Sequence, residues 1–161
     1  MKSSPSSAAG FTLIELMLVV TVAGVLAMIA IPNFKSLTQS QRVKNASFQV
    51  FSALSLARSE AIKRNTNVTL AATMNAANEV SWVISAGATV ISTQGYIKGI
   101  AMTVNNTAST QIVYQYTGRT TDNGPTFEIY SADTTAAASP FTRCITIELN
   151  GMPRTRKGVC T

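Results

Sequence analysis

The residues that could do chemistry in this chain of 161 residues are few, and their types narrow the choice of function. There is no histidine, which excludes acid–base or nucleophilic catalysis by an imidazole. The two cysteines, Cys144 and Cys160, are too few for a zinc site in a chain without histidine. The sequence also contains no nucleophile–base pair, phosphate-binding loop or cluster of metal ligands. We therefore expect neither an enzyme nor a bound cofactor.

The two cysteines are instead candidates for a disulfide. A bond between Cys144 and Cys160 would close a short loop near the C-terminus and would stabilise the fold by roughly 3 kcal/mol. Disulfides persist in oxidising compartments, so this bond would indicate a domain outside the cytoplasm. Two unrelated free thiols are the alternative.

Four cations stand in the last part of the chain: Arg143, Arg154, Arg156 and Lys157. Pro153 disfavours a helix at this point, and Asn150-Gly151 is a turn signal. The pattern predicts that the last three cations lie on an exposed loop held at Cys160. They could contact the phosphates of double-stranded DNA, an interaction that ignores base sequence and weakens with salt. The alternative is an ordinary solvated chain end.

A single acidic residue, Glu15, interrupts the apolar segment 11–31. A carboxylate in a membrane helix costs at least about 2.5 kcal/mol, so such a residue is normally functional and has a partner. If the chain were cut after Gly10, Phe11 would carry a free α-amino group at nearly the same depth. That amine could pair with Glu15 of a neighbouring chain. The alternative is a glutamate near the helix end whose carboxylate reaches the membrane surface.

The apolar segment also sets the domain organisation. As a helix, residues 11–31 would span about 30 Å, the thickness of the hydrocarbon core of a bilayer. Residues 1–10 are small and polar, and the apolar segment is too long for the core of an ordinary secretory signal. We therefore predict a leader at 1–10, a transmembrane and assembly helix at 11–32, and a soluble head with a basic tail at 33–161.

The remaining pattern predicts the architecture of the head. Apolar residues recur at spacings of three and four, as in an amphipathic helix, at Val43, Ala46, Val50, Leu54, Ala57 and Ala61. This predicts one helix from Phe11 to about Arg64. The period then changes to two, which predicts strands at 67–73, 79–85, 89–93, 100–105, 111–117, 126–131 and 143–149. The predicted fold class is α+β, with the long helix packed on an antiparallel sheet.

The string Gly10-Phe11-Thr12-Leu13-Ile14-Glu15, followed by an apolar helix, resembles the class III signal of type IV pilins and type II secretion pseudopilins. The resemblance implies cleavage after Gly10 by a prepilin peptidase and methylation of Phe11. It also implies that Glu15 neutralises the terminal amine of an adjacent subunit, so other pilins are expected partners. The expected location is the bacterial inner membrane, with the head in the periplasm, and later an extracellular pilus.

Two further strings, Leu56-Ala57-Arg58-Ser59-Glu60-Ala61 and Tyr116-Thr117-Gly118-Arg119, are similar to motifs of FimT/GspH-type minor pilins. In some members of that family, a C-terminal glycine followed by alternating arginines is implicated in binding DNA for natural transformation. Here Gly151 precedes Arg154 and Arg156. The resemblance implies a minor type IV pilin whose tail binds double-stranded DNA. The alternatives are a purely structural minor pilin that primes pilus assembly and a minor pseudopilin of type II secretion.

Overall fold

The computed structural model describes residues 11–105, 110–121 and 125–160, without the side chains of residues 29–33 and 105. The chain divides into two compact units, which meet in sequence between Thr38 and Gln39. The long helix α1 runs from Leu13 to Arg64 and therefore contributes to both units. The predicted leader, including Gly10, lies outside the described residues.

The first unit begins with a capped helix end. The backbone N–H of Glu15 donates a hydrogen bond to Thr12 Oγ1 at 3.3 Å, which is the geometry of a threonine N-cap. The described large apolar side chains between Phe11 and Met28 are all more than half exposed. No helix among the described residues combines the length and the apolar character that a membrane crossing requires. The predicted transmembrane helix at 11–32 includes positions whose side chains lie outside the described part.

The second unit contains the rest of α1 and two antiparallel sheets of four strands each. The strands are β1 (Val68–Met74), β2 (Val80–Ala86), β3 (Thr89–Gln94), β4 (Ile100–Asn105), β5 (Gln111–Tyr114), β6 (Thr126–Ser131), β7 (Arg143–Ile147) and β8 (Pro153–Lys157). The first sheet has the order β3-β2-β1-β5, and the second has the order β4-β6-β7-β8. The α+β prediction is therefore confirmed, although the strands form two sheets.

The predicted helical stripe forms one side of the core. All six of its residues are buried, and Ala53 joins them. They pack with alternate residues of both sheets, among them Leu70, Trp82, Phe127 and Ile145. The helix ends where it was predicted to end, because Asn65 takes a positive φ of 50°. The backbone N–H of Thr66 then donates to the Ala61 carbonyl, which completes a Schellman-type C-cap.

Two predicted strands end earlier than expected because glycine turns follow them. The strand predicted at 111–117 stops at Tyr114, since a turn closes from the Gly118 N–H to the Gln115 carbonyl and Gly118 has a φ of 77°. The strand predicted at 143–149 stops at Ile147, since the Gly151 N–H donates to the Glu148 carbonyl at 2.7 Å. The turn predicted at Asn150-Gly151 is confirmed.

The prediction that the basic tail is a loop is wrong. Residues Pro153–Lys157 form β8, which pairs antiparallel with β7 at the edge of the second sheet. Proline is tolerated at the first position of an edge strand because its missing N–H need not serve the ladder. No alternating apolar pattern marks this strand in the sequence, because four of the five residues of β8 are exposed.

Candidate functional site

The β7–β8 hairpin is the candidate functional site, because it carries all four predicted DNA-binding cations. Residues that lie directly opposite each other in an antiparallel pair share one face of the sheet. Arg154 lies opposite Thr146, and Arg156 lies opposite Cys144, so both arginines belong to the outer face of the second sheet. Lys157 lies opposite Arg143 and belongs to the face that also carries the core residue Ile145. The hairpin therefore divides the cations between its two faces.

The outer face also carries acidic side chains that reduce its positive charge. Arg154 Nε forms an ion pair with Glu148 Oε1, and both side chains are at least one-third exposed. Glu128 stands next to this strand pair, opposite Cys144, and its Oε1 accepts the backbone N–H of Cys160 at 2.7 Å. Among the described residues, neither Arg143 nor Lys157 takes part in an ion pair. The positive charges of Arg143 and Lys157, on the face that carries Ile145, are therefore more available to a ligand than the charge of Arg154.

The predicted disulfide is present and fixes the end of the chain. Cys144 in β7 is bonded to Cys160, with 5.2 Å between their Cα atoms. The backbone N–H of Gly158 also donates to the Thr142 carbonyl at 2.8 Å. These contacts hold the residues after β8 against the second sheet. A crosslink of this kind typically contributes about 3 kcal/mol, largely by restricting the unfolded chain.

A second feature of the hairpin is its attachment to α1, which sequence reasoning did not find. The guanidinium of Arg58 donates from Nε to the Gly118 carbonyl at 3.0 Å and from Nη2 to the Asn150 carbonyl at 3.1 Å. Its Nη1 lies 3.3 Å from Met152 Sδ. One helical side chain thus joins the turn that follows β5 in the first sheet to the turn between β7 and β8 in the second.

The two turns also touch each other directly. Gly151 has a φ of 80°, and a Cβ at this position would clash with the Gly118 carbonyl oxygen. A Cβ at Gly118 would lie 2.7 Å from Ile62 Cδ1. The signal for this junction was present in the sequence, because Arg58, Gly118 and Gly151 each belong to a string singled out above. Only the fold shows that the three strings meet.

Buried beside this junction is a tyrosine without a partner for its hydroxyl. Tyr114, the last residue of β5, is fully buried, and no described residue forms a hydrogen bond with its hydroxyl oxygen. Burial raises the pKa of Tyr114 above its ordinary value, and the nearby charge of Arg58 opposes this shift. The phenol therefore stays neutral at physiological pH.

At the other end of α1, the structure describes two of the three predicted processing and assembly residues. Phe11 is exposed, and the Glu15 side chain is exposed one helical turn further along. Glu15 occupies the third position after its threonine cap, where a carboxylate is favoured by the helix dipole. Gly10 lies outside the described residues, so cleavage at this bond stays a prediction.

Comparison with known proteins decides the family. Residues 46–151 match the family described as Type II transport protein GspH, and residues 5–31 match the prokaryotic N-terminal methylation motif. The chain belongs to the GspH family. The matched region includes Arg58, Gly118 and Gly151, the three residues that form the junction described above. The family identification expected from the two internal strings is confirmed.

Solved structures of two relatives share this fold. The type IV minor pilin FimU of Pseudomonas aeruginosa has a TM-score of 0.57 and 16% identity, over 76% of this chain and 92% of its own. The minor pseudopilin EPSH from the type II secretion system of Vibrio cholerae has a TM-score of 0.55 and 12% identity, over 76% of this chain and 98% of its own. At such low identity these likenesses concern the fold alone.

Curated relatives match a shorter stretch. Two proteins of Pseudomonas aeruginosa called fimbrial protein are 45% identical over 64 residues, which is 40% of this chain and 41% of their own length. The chain thus aligns with about two-fifths of these relatives. Pilins and pseudopilins therefore form the group to which this member of the GspH family is similar.

Proposed function

We propose that this GspH-family chain is a minor subunit of a type IV pilus, incorporated in the fibre or at its tip. The observation that carries the proposal is the methylation motif at residues 5–31, which includes the start of α1 and precedes a head with a pilin-like fold. A prepilin peptidase cuts the chain after Gly10, and the new amine of Phe11 is methylated. The segment 11–32 holds the subunit in the inner membrane, with the head in the periplasm, until other pilins take it up.

The assembly step depends on the charge of Glu15. Once the leader is removed, Phe11 carries a positive α-amino group, and two unpaired charges in an apolar fibre core would be costly. The carboxylate of Glu15 neutralises the amine of an adjacent subunit. The support for this role is the exposure of both side chains in the first unit, which leaves them accessible to a neighbour.

The replacement Glu15→Ala tests this step. The variant should enter the membrane at least as well as the wild type, because a costly charge is removed. Its incorporation into fibres should fall at least tenfold on immunoblots of sheared fibres. The matched control Glu15→Asp keeps the charge and should retain more incorporation than the alanine variant. Normal incorporation of Glu15→Ala would contradict the proposed pairing.

A pseudopilin of type II secretion is the second candidate for the assembly in which this subunit works. The observation that favours it is the match of residues 46–151 to the family described as Type II transport protein GspH. Deleting the gene separates the two roles. Loss of surface pili with normal protein secretion supports the pilus, and loss of secretion with normal pili supports the pseudopilin.

Double-stranded DNA is the proposed ligand of the head, captured for uptake in natural transformation. The observation that supports it is the pair Arg143 and Lys157, two like charges that face each other across β7 and β8. Like charges in directly opposite positions destabilise a sheet, and a phosphate between them would relieve the repulsion. Arg154 and Arg156 extend the positive charge around the same exposed strand. We propose that a duplex lies along the edge formed by β8.

Binding of the purified chain to unrelated duplexes at several salt concentrations tests this second role. Two phosphate contacts, from Arg143 and Lys157, give a slope of log affinity against log salt of about −1.8, at about −0.9 per contact. The double variant Arg143→Gln/Lys157→Gln should lose most of this slope for every duplex. The control Lys98→Gln removes an exposed cation outside the hairpin and should leave the slope unchanged. Absence of binding in low salt would leave only the assembly role.

A further inference from the structure

The β3 edge of the first sheet lacks features that protect the β5 edge of the same sheet and the β8 edge of the second sheet. At one side of the sheet, β5 is followed by a segment that folds back on it, with the Thr121 N–H donating to the Val113 carbonyl. In the second sheet, β8 is an edge strand with a proline and three cations, which are the usual defences against pairing with another chain. The edge strand β3, Thr89–Gln94, contains no charged residue and no proline.

An apolar groove runs between this edge and α1. It has a volume of about 330 Å³. The buried side chains of Trp82 and Ile84 lie at its base, Ser92 and Gln94 line it from β3, and Phe48 and Leu56 line it from the helix. Phe48 is 60% exposed and Leu56 is 38% exposed, so the helix presents large apolar groups that the first sheet does not cover. None of the residues that line the groove is charged.

The groove has about the length of a short extended segment. A β-bulge interrupts the pairing of β3 with β2 between Ile84 and Ser85, which leaves Ser92–Gln94 as the regular part of the edge. Phe48 and Leu56 are separated by two turns of helix, about 12 Å at 1.5 Å per residue. An extended segment of about four residues has the same length, at roughly 3.3 Å per residue. One such segment could pair with the regular edge and place alternate side chains between Phe48 and Leu56.

We propose that this edge and groove bind an extended, uncharged segment of a neighbouring pilin-like subunit by β-strand addition. The backbone of the segment continues the first sheet beyond β3, and its apolar side chains on one face fill the groove. The absence of charge on both surfaces selects an uncharged occupant and gives no attraction for nucleic acid. A helix, about 10 Å wide, would leave the backbone of β3 without partners. The inference rests on the proposed assembly with other pilins.

Site-specific photo-crosslinking in the full-length chain tests the inference. We would place benzoylphenylalanine at position 48, allow fibres to assemble in cells, and identify the linked peptide by mass spectrometry. The expected product is a peptide from a neighbouring pilin-like subunit with at least four consecutive uncharged residues at the point of linkage. No linkage within normally assembled fibres, or linkage to a charged segment, an apolar N-terminal helix, lipid or nucleic acid, would overturn the inference.

Two pairs of matched variants test the edge and the groove separately, in the chain that carries the crosslinker. Thr93→Lys charges the exposed edge of β3 and should lower the yield of linkage at least tenfold, whereas Thr155→Lys on the exposed edge strand β8 should not. Leu56→Ser removes one wall of the groove and should lower the yield, whereas Leu149→Ser removes an exposed leucine elsewhere and should not. The emission of Trp82, the only tryptophan, confirms that each variant is folded.

The outcomes separate this inference from the proposed function. If the chain enters fibres normally but does not crosslink at position 48, strand addition is wrong and the minor pilin role stands. If the yield with Thr93→Lys equals that of the wild type, the edge is not used and the inference is likewise wrong. If Glu15→Ala assembles normally, the proposed pairing fails while crosslinking at position 48 continues to report on the groove.

Discussion

At the scale of single residues, Arg58 connects two turns of the head that lie far apart in the sequence. Its guanidinium joins the turns at Gly118 and Asn150, which belong to different sheets. Hydrogen bonds from a charged group contribute about 1.5–3 kcal/mol each when they are well shielded, and those of Arg58 are partly exposed. The close contact of Gly118 with Gly151 forms beneath this side chain and fixes the approach of the β7–β8 hairpin.

Gly151→Ala should destabilise the head much more than Gly158→Ala. Both glycines have a positive φ, 80° and 94°, so each alanine costs about 1–2 kcal/mol of backbone strain. Only the Cβ at position 151 would also clash, with the Gly118 carbonyl oxygen, whereas the space around Gly158 is open. Urea unfolding followed by the fluorescence of Trp82 measures both changes. Equal losses for the two variants would show that the contact between the turns is unimportant.

Tyr114→Phe should stabilise the head, and increasingly so at alkaline pH. The buried hydroxyl has no partner among the described residues, and its removal should add about 1 kcal/mol. Burial raises the pKa of Tyr114 above 10.0, so the native state resists ionisation while the unfolded state ionises near pH 10. The native state therefore loses stability as the pH rises above about 10, and the phenylalanine variant avoids this loss. Denaturant titrations at pH 8 and pH 10.5 measure the difference; identical pH dependence in both proteins would contradict it.

At the scale of elements, the sequence predicts what depends on periodicity and misses what depends on backbone pairing. The helix could be predicted because its buried stripe repeats at the helical period and Asn65 caps it. Seven strands could be predicted from alternation: those at 100–105 and 126–131 have the predicted bounds, and the others differ by one to three residues at an end. β8 could not, because Arg154, Thr155, Arg156 and Lys157 are all exposed and carry no apolar period. Its position is specified by the turn at Gly151 and the disulfide.

In the candidate site, too, the residue types could be predicted from the sequence, whereas their arrangement by strand pairing could not. The sequence identifies Cys144 and Cys160 as a possible pair and the four cations as a cluster, and the disulfide is confirmed. The division of the cations between two faces depends on the register of β7 with β8, which no local pattern encodes. The ion pair of Arg154 with Glu148 also depends on this register.

Glu148→Gln should strengthen the proposed DNA binding. The replacement releases Arg154 from its ion pair, and one more phosphate contact should steepen the slope of log affinity against log salt by about 0.9. The control Asp133→Asn removes the same charge from an exposed loop residue outside the hairpin. Fluorescence anisotropy with a labelled duplex at several salt concentrations measures both variants. An equal gain from the two replacements would indicate a general charge effect instead of a contact by Arg154.

At the scale of the whole molecule, two units carry two different tasks in the proposed function. The first unit presents exposed apolar side chains and Glu15 for assembly, and the second presents a basic edge on one sheet and an uncharged edge on the other. Family membership covers residues 46–151, and the methylation motif covers residues 5–31. In the proposed function, these parts belong to one processed pilin subunit.

Top-down mass spectrometry of the protein recovered from sheared fibres tests whether the chain is such a processed subunit. The expected protein begins at Phe11 with a methylated amino group and retains the bond between Cys144 and Cys160. Methylation adds about 14 Da, and reduction of the disulfide adds about 2 Da, so both features can be read from intact masses. A chain that begins at Met1, or one cut after residue 31 so that the apolar segment is lost, would show that the protein is not processed as a pilin.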